Sequence, residues 1–332
     1  MIIKVISNLI ELQTFKEEIK SKIDQNNFYQ SYDFIEVMMK IFPKKKFKII
    51  FSKNKNNYIF LPLHSFRYFL KEFFGFVGSP HFNEENCLSH NYKDNEQLAN
   101  DLTYILSNIK ITEMPLYFNN LDHKTYVLFK NIKLIEVSRF ETNSICLKKS
   151  TIWKSRDLKN KIIKDLNFKL RKFFNQNNFD HNDIKLVSDK VNLKNINNFI
   201  LKNKNINLKN KKILSENLKI FFSLYKNDSR LEISQLTLNK TLLSVVLGVN
   251  IENKYYYFIP CFNNSYYKYS FGNNHLCRLI QIKKENGYDK FILGPGGENY
   301  KKNFNISSEK IYSFTNKKYL AFILKLKKIL KT

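Results

Sequence analysis

Ser270, Gly272, Asn273, Asn274 and His275 lie in the run Tyr269-Ser-Phe-Gly-Asn-Asn-His275, directly ahead of a helical pattern that extends to Gly287. A turn leading into a helix suits a phosphate or pyrophosphate. The first backbone N–H groups of a helix lack partners, and its dipole favours an anion there. Two strand patterns flank this unit. One is Tyr255-Tyr-Tyr-Phe-Ile-Pro260; the other opens the run Phe291-Ile-Leu-Gly-Pro-Gly-Gly-Glu-Asn-Tyr-Lys-Lys302. Four of the chain's eight glycines lie between Gly287 and Gly297, so the backbone there needs conformations that other residues resist. Plainer readings stand beside this one. Gly272 can end a turn whose helix Asn273 or Asn274 caps, and His275 can be a base near the phosphate or a structural residue.

The elements that must position these residues are clearest in the second half. Ile184–Val187 reads as a strand, and Leu193–Leu201 and Ile213–Tyr225 as helices. Leu231–Leu238, Thr241–Val249 and Tyr255–Pro260 form an antiparallel meander, with a two-residue turn at Asn239-Lys240 and Glu252-Asn253 in the next. Gly272–Glu285 is helix, Lys290–Leu293 strand, Gly297–Asn303 a short helical or looped segment, Ile311–Phe314 strand and Tyr319–Leu330 helix. Alternation puts Tyr255 and Tyr257 on one face and Tyr256 on the other, lining a cleft or filling a buried strand.

The first half opens with a strand at Ile2–Ile6. Ser31 caps a helix that Pro43 ends. Strands are expected at Phe47–Phe51, Tyr58–Leu63, Leu116–Asn119, Leu134–Val137 and Ser144–Leu147, with a strand leading into a loop over Phe73–Pro80 and a helix at Asn95–Asn108. Between the halves, Trp153–Phe174 carries apolar residues at helical spacing among lysines. The expected division is an N-terminal half at 1–150, a basic connector helix at 151–178 and a C-terminal half at 179–332.

With 332 residues the chain can form two domains of roughly 150 residues each. A hydrophobic content of 43% provides for a sizeable core and excludes global disorder. The net charge of +27 attracts nucleic acid, anionic lipid or a polyanionic substrate. Only six basic residues are Arg, however, and the lysines are scattered, which favours solvated helix faces over phosphate readout. Cys87, Cys146, Cys261 and Cys277 show no CxxC spacing and no histidine cluster, so neither a disulfide framework nor a metal site is expected. The first ten residues make a poor signal peptide, and no apolar run is long enough to span a bilayer. A cytoplasmic location is the simplest expectation.

The element order resembles that of the GNAT acyltransferases. Leu236-Thr-Leu-Asn-Lys-Thr-Leu-Leu-Ser-Val-Val-Leu-Gly248, Tyr255-Tyr-Tyr-Phe-Ile-Pro260, Tyr269-Ser-Phe-Gly272 and Phe291-Ile-Leu-Gly-Pro-Gly-Gly-Glu-Asn-Tyr-Lys301 are similar to the C-terminal half of the cellulose-biosynthesis (CelD-like) acetyltransferases, relatives of the FemABX aminoacyl transferases. The resemblance is strong over 231–302 and loose elsewhere. It implies an α/β (α+β) fold of two tandem GNAT-like halves, with mixed, mostly antiparallel sheets flanked by helices.

It also implies an acyl-CoA co-substrate without a metal. The pyrophosphate would sit on Ser270–His275 and the pantetheine arm beside the strand holding Tyr257. The family's loop motif is Gln/Arg-x-x-Gly-x-Gly/Ala; here Gly272 matches, while Tyr269 and Asn274 depart from it. Glu298 is the implied base and Tyr300 the implied acid, with Lys301 facing substrate or an anionic intermediate. Alternatively, Glu298 is the acidic first-turn residue of a short helix and Lys301 is solvated. The implied acceptor is a small molecule or glycan, such as an amino sugar of a surface polysaccharide or glycolipid, with peripheral membrane contact allowed. An aminoacyl-tRNA donor, or a module without catalysis, are the other readings.

Overall fold

The computed structural model describes the chain apart from residues 24–27, 69–70, 79–85, 87, 109–114, 133, 149–159, 178–183, 189–190, 205, 296–297, 305 and 323–332. Cys87, Gly296, Gly297, the Trp153 end of the connector and most of the expected terminal helix lie outside the described residues. The architecture is mixed α/β, with two sheets flanked by helices. The chain groups into two units, Met1–Glu141 with Lys310–Thr332, and Thr142–Glu309.

The first unit carries β1 (Ile2–Ile6), α1 (Leu9–Thr14), α2 (Lys16–Lys22), α3 (Tyr32–Ile41), β2 (Phe47–Asn54), β3 (Asn57–Tyr68), β4 (Lys71–Phe76), β5 (Ser89–His90), α4 (Asn95–Asn108), β6 (Tyr117–Leu121) and α5 (His123–Lys130). Its strands run in the order β1-β2-β3-β4, all antiparallel, with β5 also on β3. Ser31 and Asp122 cap α3 and α5 by accepting the N–H of Phe34 and Thr125. Helix α5 escaped the sequence reading because two short turns between strands carry little periodic signal.

The second unit contains the last residues of β7 (Ile135–Cys146), then α6 (Asn160–Asn177), β8 (Ile184–Val187), α7 (Leu193–Asn203), α8 (Leu208–Tyr225), β9 (Leu231–Leu238), β10 (Thr241–Ile251), β11 (Lys254–Phe262), α9 (Phe271–Glu285) and β12 (Lys290–Pro295). β7 is one strand where two short ones were expected. The spatial order is β7-β12-β11-β10-β9-β8. Only β11 and β12 are parallel; the other neighbours are antiparallel. Asn239 and Lys240 both have positive φ, 43° and 69°, as a two-residue hairpin turn between right-twisted strands requires.

Helix α9 covers this sheet with Leu276, Leu279 and Ile280 fully buried, the spacing of one helical face. Helix α6 is part of the same unit. Its Leu170, Phe173 and Phe174 pack with Leu236, Leu238, Leu243, Tyr269 and Phe271, while Lys164, Arg171 and Lys172 remain in solvent. Sequence order sets the final strand, β13 (Ser307–Thr315), in the second half, yet its residues from Lys310 on belong to the first unit. The reason is packing: Tyr312 and Phe314 pair with β6 and enter the core formed by Leu116, Phe118, Tyr126 and Phe129.

Candidate active site

Parallel pairing of β11 with β12 is confined to Lys254–Lys290, Tyr255–Phe291 and Tyr256–Ile292, although β11 continues to Phe262 and β12 to Pro295. On its other side β11 has an irregularity. Leu247 of β10 faces Ile259 and Gly248 faces Tyr257, so Phe258 is the extra residue of a bulge. A bulge bends its strand and re-aims the side chains around it. Tyr257 therefore stands where the parallel ladder ends and the bulge begins.

The tyrosine run is a buried strand. Tyr255, Tyr256 and Tyr257 are all in the core. Burial holds the Tyr257 phenol well above its ordinary range, and the neighbouring Tyr300, Cys277 and Cys261 push it the same way. Burial also raises the Cys261 thiol to about 11 and the Cys277 thiol to about 12. Neither thiol is a ready nucleophile, since the thiolate is the reactive form.

Past the end of β11, Asn264–Tyr269 forms a 3-10 turn and Ser270 adopts the left-handed conformation, φ 56° and ψ 38°, at the head of α9. The N-cap is Ser270, not Asn273 or Asn274, and no side chain caps the helix. By contrast α7 and α8 are capped by Asn192 and Asn207. The first turn of α9 can thus accept an anion on its backbone. Lys169 Nζ lies 3.3 Å from Ser270 Oγ, and Asp165 holds the same amine at 2.7 Å. Gly272 lets Phe262 approach closely: a Cβ there would sit 3.0 Å from Cδ1 of that ring, which would have to shift by a few tenths of an ångström.

Asn274 and His275 turn inward. Asn274 is buried, and its Oδ1 has no hydrogen-bond partner among the described residues. His275 is fully buried, with Nε2 2.9 Å from Ser234 Oγ and Nδ1 3.0 Å from Ser244 Oγ. It bolts α9 to the β9–β10 hairpin. Both ring nitrogens are occupied, which corrects its assignment to the phosphate loop. Burial first, and the nearby Arg278 second, lower its pKa from 6.5 to about 3.

The unfolded chain therefore takes up this proton before the folded one as pH falls. The histidine's stabilising contribution is complete above about pH 6.5 and is lost progressively toward pH 3, at about 1.4 kcal/mol per pH unit. Urea unfolding between pH 7.5 and 5 should show this contribution level above about pH 6.5 and falling below it in the wild type, with a shallower fall in a folded His275→Gln variant.

In the glycine-rich loop, Lys301 is 2% exposed. Its Nζ donates to the carbonyls of Gly294 (2.9 Å) and Pro295 (3.0 Å) and pairs with Glu298 Oε2 at 2.7 Å. All three ammonium protons are spent within the loop. This corrects the expectation of a solvated or substrate-facing lysine: Lys301 is the clamp that shapes the loop. Lys301→Met should lower stability by about 2–4 kcal/mol in denaturant unfolding, since two carbonyls and a carboxylate lose their donor.

Glu298 is about half exposed at its side chain, 54%, and its carboxylate remains accessible. Tyr300 is partly buried against the cluster of Tyr257, Leu279 and Phe291. One residue escaped the sequence reading. Lys204, the C-cap of α7, lies within electrostatic reach of both Glu298 and Cys261. Burial lowers its pKa, and those two groups oppose the shift. Nothing in its local sequence marks it; only folding brings the end of α7 to this loop. Near the end of the parallel strand pair Tyr257 and Tyr300 share a cluster and Lys204 lies within electrostatic reach of Glu298, while β11 leads through the 3-10 turn to the open N-terminus of α9. Such a set can accept a proton, donate one and hold an anion.

Residues 219–302 match the family model described as "Acetyltransferase (GNAT) domain". Among solved structures, FemX is similar over 95% of this chain and 97% of its own, at 12% identity and a TM-score of 0.64. The C-terminal domain (DUF2156) of a candidate lysylphosphatidylglycerol synthetase from Agrobacterium fabrum is similar over 95% and 94%, at 9% identity and 0.55. L-PGS from Bacillus licheniformis is similar over 91% and 96%, at 11% identity and 0.50. No curated protein matches the chain. These likenesses establish the fold along the whole chain, and the family match places a GNAT-type acyltransferase domain across α8 to the glycine-rich loop.

Proposed function

We propose that the second unit transfers an acyl group from acyl-CoA to an amine. The observation that carries this reading is the end of parallel pairing at Tyr256–Ile292, on the strand that leads into the uncapped N-terminus of α9. An extended thioester arm fits along strands that cease to pair, and a pyrophosphate fits on free helix N–H groups. Gly272 and Asn273 would hold the pyrophosphate through their backbone N–H groups and Ser270 through its hydroxyl, since the Ser270 N–H already donates to Tyr267, with Tyr257 beside the arm. Asn274 and His275 would support that turn from beneath.

Glu298 would take the proton from the acceptor amine as its nitrogen bonds to the thioester carbonyl carbon. When the carbon–sulfur bond breaks, Tyr300 would protonate the leaving thiolate, with Lys301 fixing the loop that carries both. No covalent intermediate is required, in keeping with the raised pKa values of Cys261 and Cys277. The similarity to CelD-like acetyltransferases supports an amino sugar of a surface polysaccharide or glycolipid as acceptor. The reading places the reaction in the cytoplasm, where acyl-CoA is made.

A second reading keeps the chemistry and changes the donor to aminoacyl-tRNA. The net charge of +27 and the fold likeness to FemX favour it. Thermal melting with CoA, acetyl-CoA and longer acyl-CoAs at low and moderate salt separates the two. Ligand at 100 times its Kd stabilises the native state by about 2.7 kcal/mol. A salt-resistant rise in melting temperature that grows with one acyl chain supports the acyl-CoA reading. No rise with any CoA species, together with salt-sensitive tRNA binding, overturns it in favour of aminoacyl-tRNA.

A further inference from the structure

Two aromatic rings stand open to solvent beside the start of α9. Phe262, at the end of β11, is 38% exposed, and Tyr267, in the 3-10 turn, is 72% exposed. They come from different elements, yet their centroids are 6.2 Å apart with planes inclined by 39°. Phe262 also lies against Gly272, which fixes the pair at the first turn of the helix. The other aromatics of the same loop do the opposite. Tyr266, Tyr269 and Phe271 close on Phe173 at 5.8, 4.7 and 5.0 Å. The inward rings account for the loop's stability, so the outward pair is free for a different use.

A lone exposed tyrosine is ordinary. A pair held beside the uncapped first turn of α9 offers a π-face next to free helix N–H groups, with the Lys169–Asp165 ion pair at Ser270 Oγ. A nucleotide presents the matching groups, a flat base and a phosphate. The two rings are close and splayed, so they make a platform and not a slot, and a base would lie on the open face of Tyr267. Stacking of this kind tolerates any base, because every base has a π-face.

We infer that Phe262 and Tyr267 form a stacking platform for the adenine ring at the nucleotide end of the acyl donor. This rests on reading the second unit as an acyl transferase. Both donors considered above carry an adenosine, at the far end of the pantetheine arm in acyl-CoA and directly bearing the acyl ester in aminoacyl-tRNA, so the shared chemistry is adenine stacking.

The test is calorimetric titration of the full chain with four probes: acetyl-CoA, 3′,5′-ADP, the trinucleotide CpCpA and S-acetylpantetheine, which lacks a nucleotide. Wild type should bind at least one adenine probe. Tyr267→Ala and Phe262→Leu should weaken that binding about tenfold, Tyr267→Phe should retain it, and S-acetylpantetheine should be unaffected. Tyr267 is mostly in solvent, so its variants should keep the wild-type melting temperature. Binding of CpCpA alone supports the platform and overturns the acyl-CoA donor. Equal binding of acetyl-CoA by wild type and both variants overturns the platform and leaves acyl transfer standing. Binding of no CoA species and no adenine probe overturns both. The same holds for the platform if Tyr267→Ala instead abolishes attachment to phosphatidylglycerol vesicles with nucleotide binding unchanged, an outcome that assigns the rings to a lipid surface.

Discussion

Glu298→Gln should slow acyl transfer by about 10²–10⁴-fold, the range over which a positioned general base contributes. The carboxamide keeps the shape of the side chain and can still accept a hydrogen bond from Lys301, but it cannot take a proton. Some stability should also be lost, about 1–3 kcal/mol, because the buried Lys301 keeps its carbonyl partners and an amide oxygen but loses its countercharge. Rates are therefore compared at a temperature where melting shows both proteins folded. The loss should appear in kcat at saturating donor. Glu298→Asp should recover part of it, as a shorter base at a less favourable distance. An unchanged rate in a folded Glu298→Gln protein would reduce Glu298 to the partner of Lys301. Such a result would move the search for the base to Lys204, whose lowered pKa brings it nearer the neutral form.

Gly248→Ala is expected to destabilise the second unit by about 3 kcal/mol, the upper range for overpacking a filled core. Gly248 lies on β10 directly opposite the bulge in β11, and a Cβ there would overlap the phenol of Tyr255, reaching within 2.6 Å of Cε2. Tyr255 cannot withdraw: it is fully buried, 5.0 Å from the Phe291 ring, with the Lys283 ammonium 4.4 Å above its own ring. Lys283 is itself buried and paired with Glu232, so the clash would spread to a buried charge. Tyr255→Val should be destabilising alone yet should recover part of the loss when combined with Gly248→Ala. A double-mutant cycle in urea reads this as a coupling of opposite sign. Additive losses would show that the glycine serves the bulge and not the tyrosine.

The two effects meet at one place. The glycine lets Tyr255 lie flat across β10, and the bulge beside it sets the course of β11 away from β12. The groups around Glu298 depend on that course. A substitution at Gly248 that still folds should therefore lower activity through the geometry of Tyr257 and Tyr300.

Much of this architecture was legible in the residues themselves. The hairpin at Asn239-Lys240, the strand Leu231–Leu238 and the helix Asn95–Asn108 have the bounds expected, because turn chemistry and hydrophobic period are local properties of a chain. The turn ahead of α9 and the glycine-rich loop were also visible as unusual runs. The roles of single residues within them were not. His275 and Lys301 read as polar residues near a site, and both are buried, with every ring nitrogen and ammonium proton engaged inside the unit. Whether a polar side chain faces a ligand or the core depends on partners far along the chain: Ser234 and Ser244 for His275, and Ile200's helix for Lys204.

The sequence by itself determined the order of elements, the excess of lysine, and the two runs around α9. Periodicity, capping and turn preferences act over a few residues, and composition needs no fold at all. Only the tertiary structure decided that β13 passes to the first unit from Lys310 on, that β11 and β12 pair over three positions, and that Lys204 comes within electrostatic reach of Glu298. Each of these is a contact between distant segments. Its energy comes from buried area and matched charge, which exist only once the chain has closed on itself.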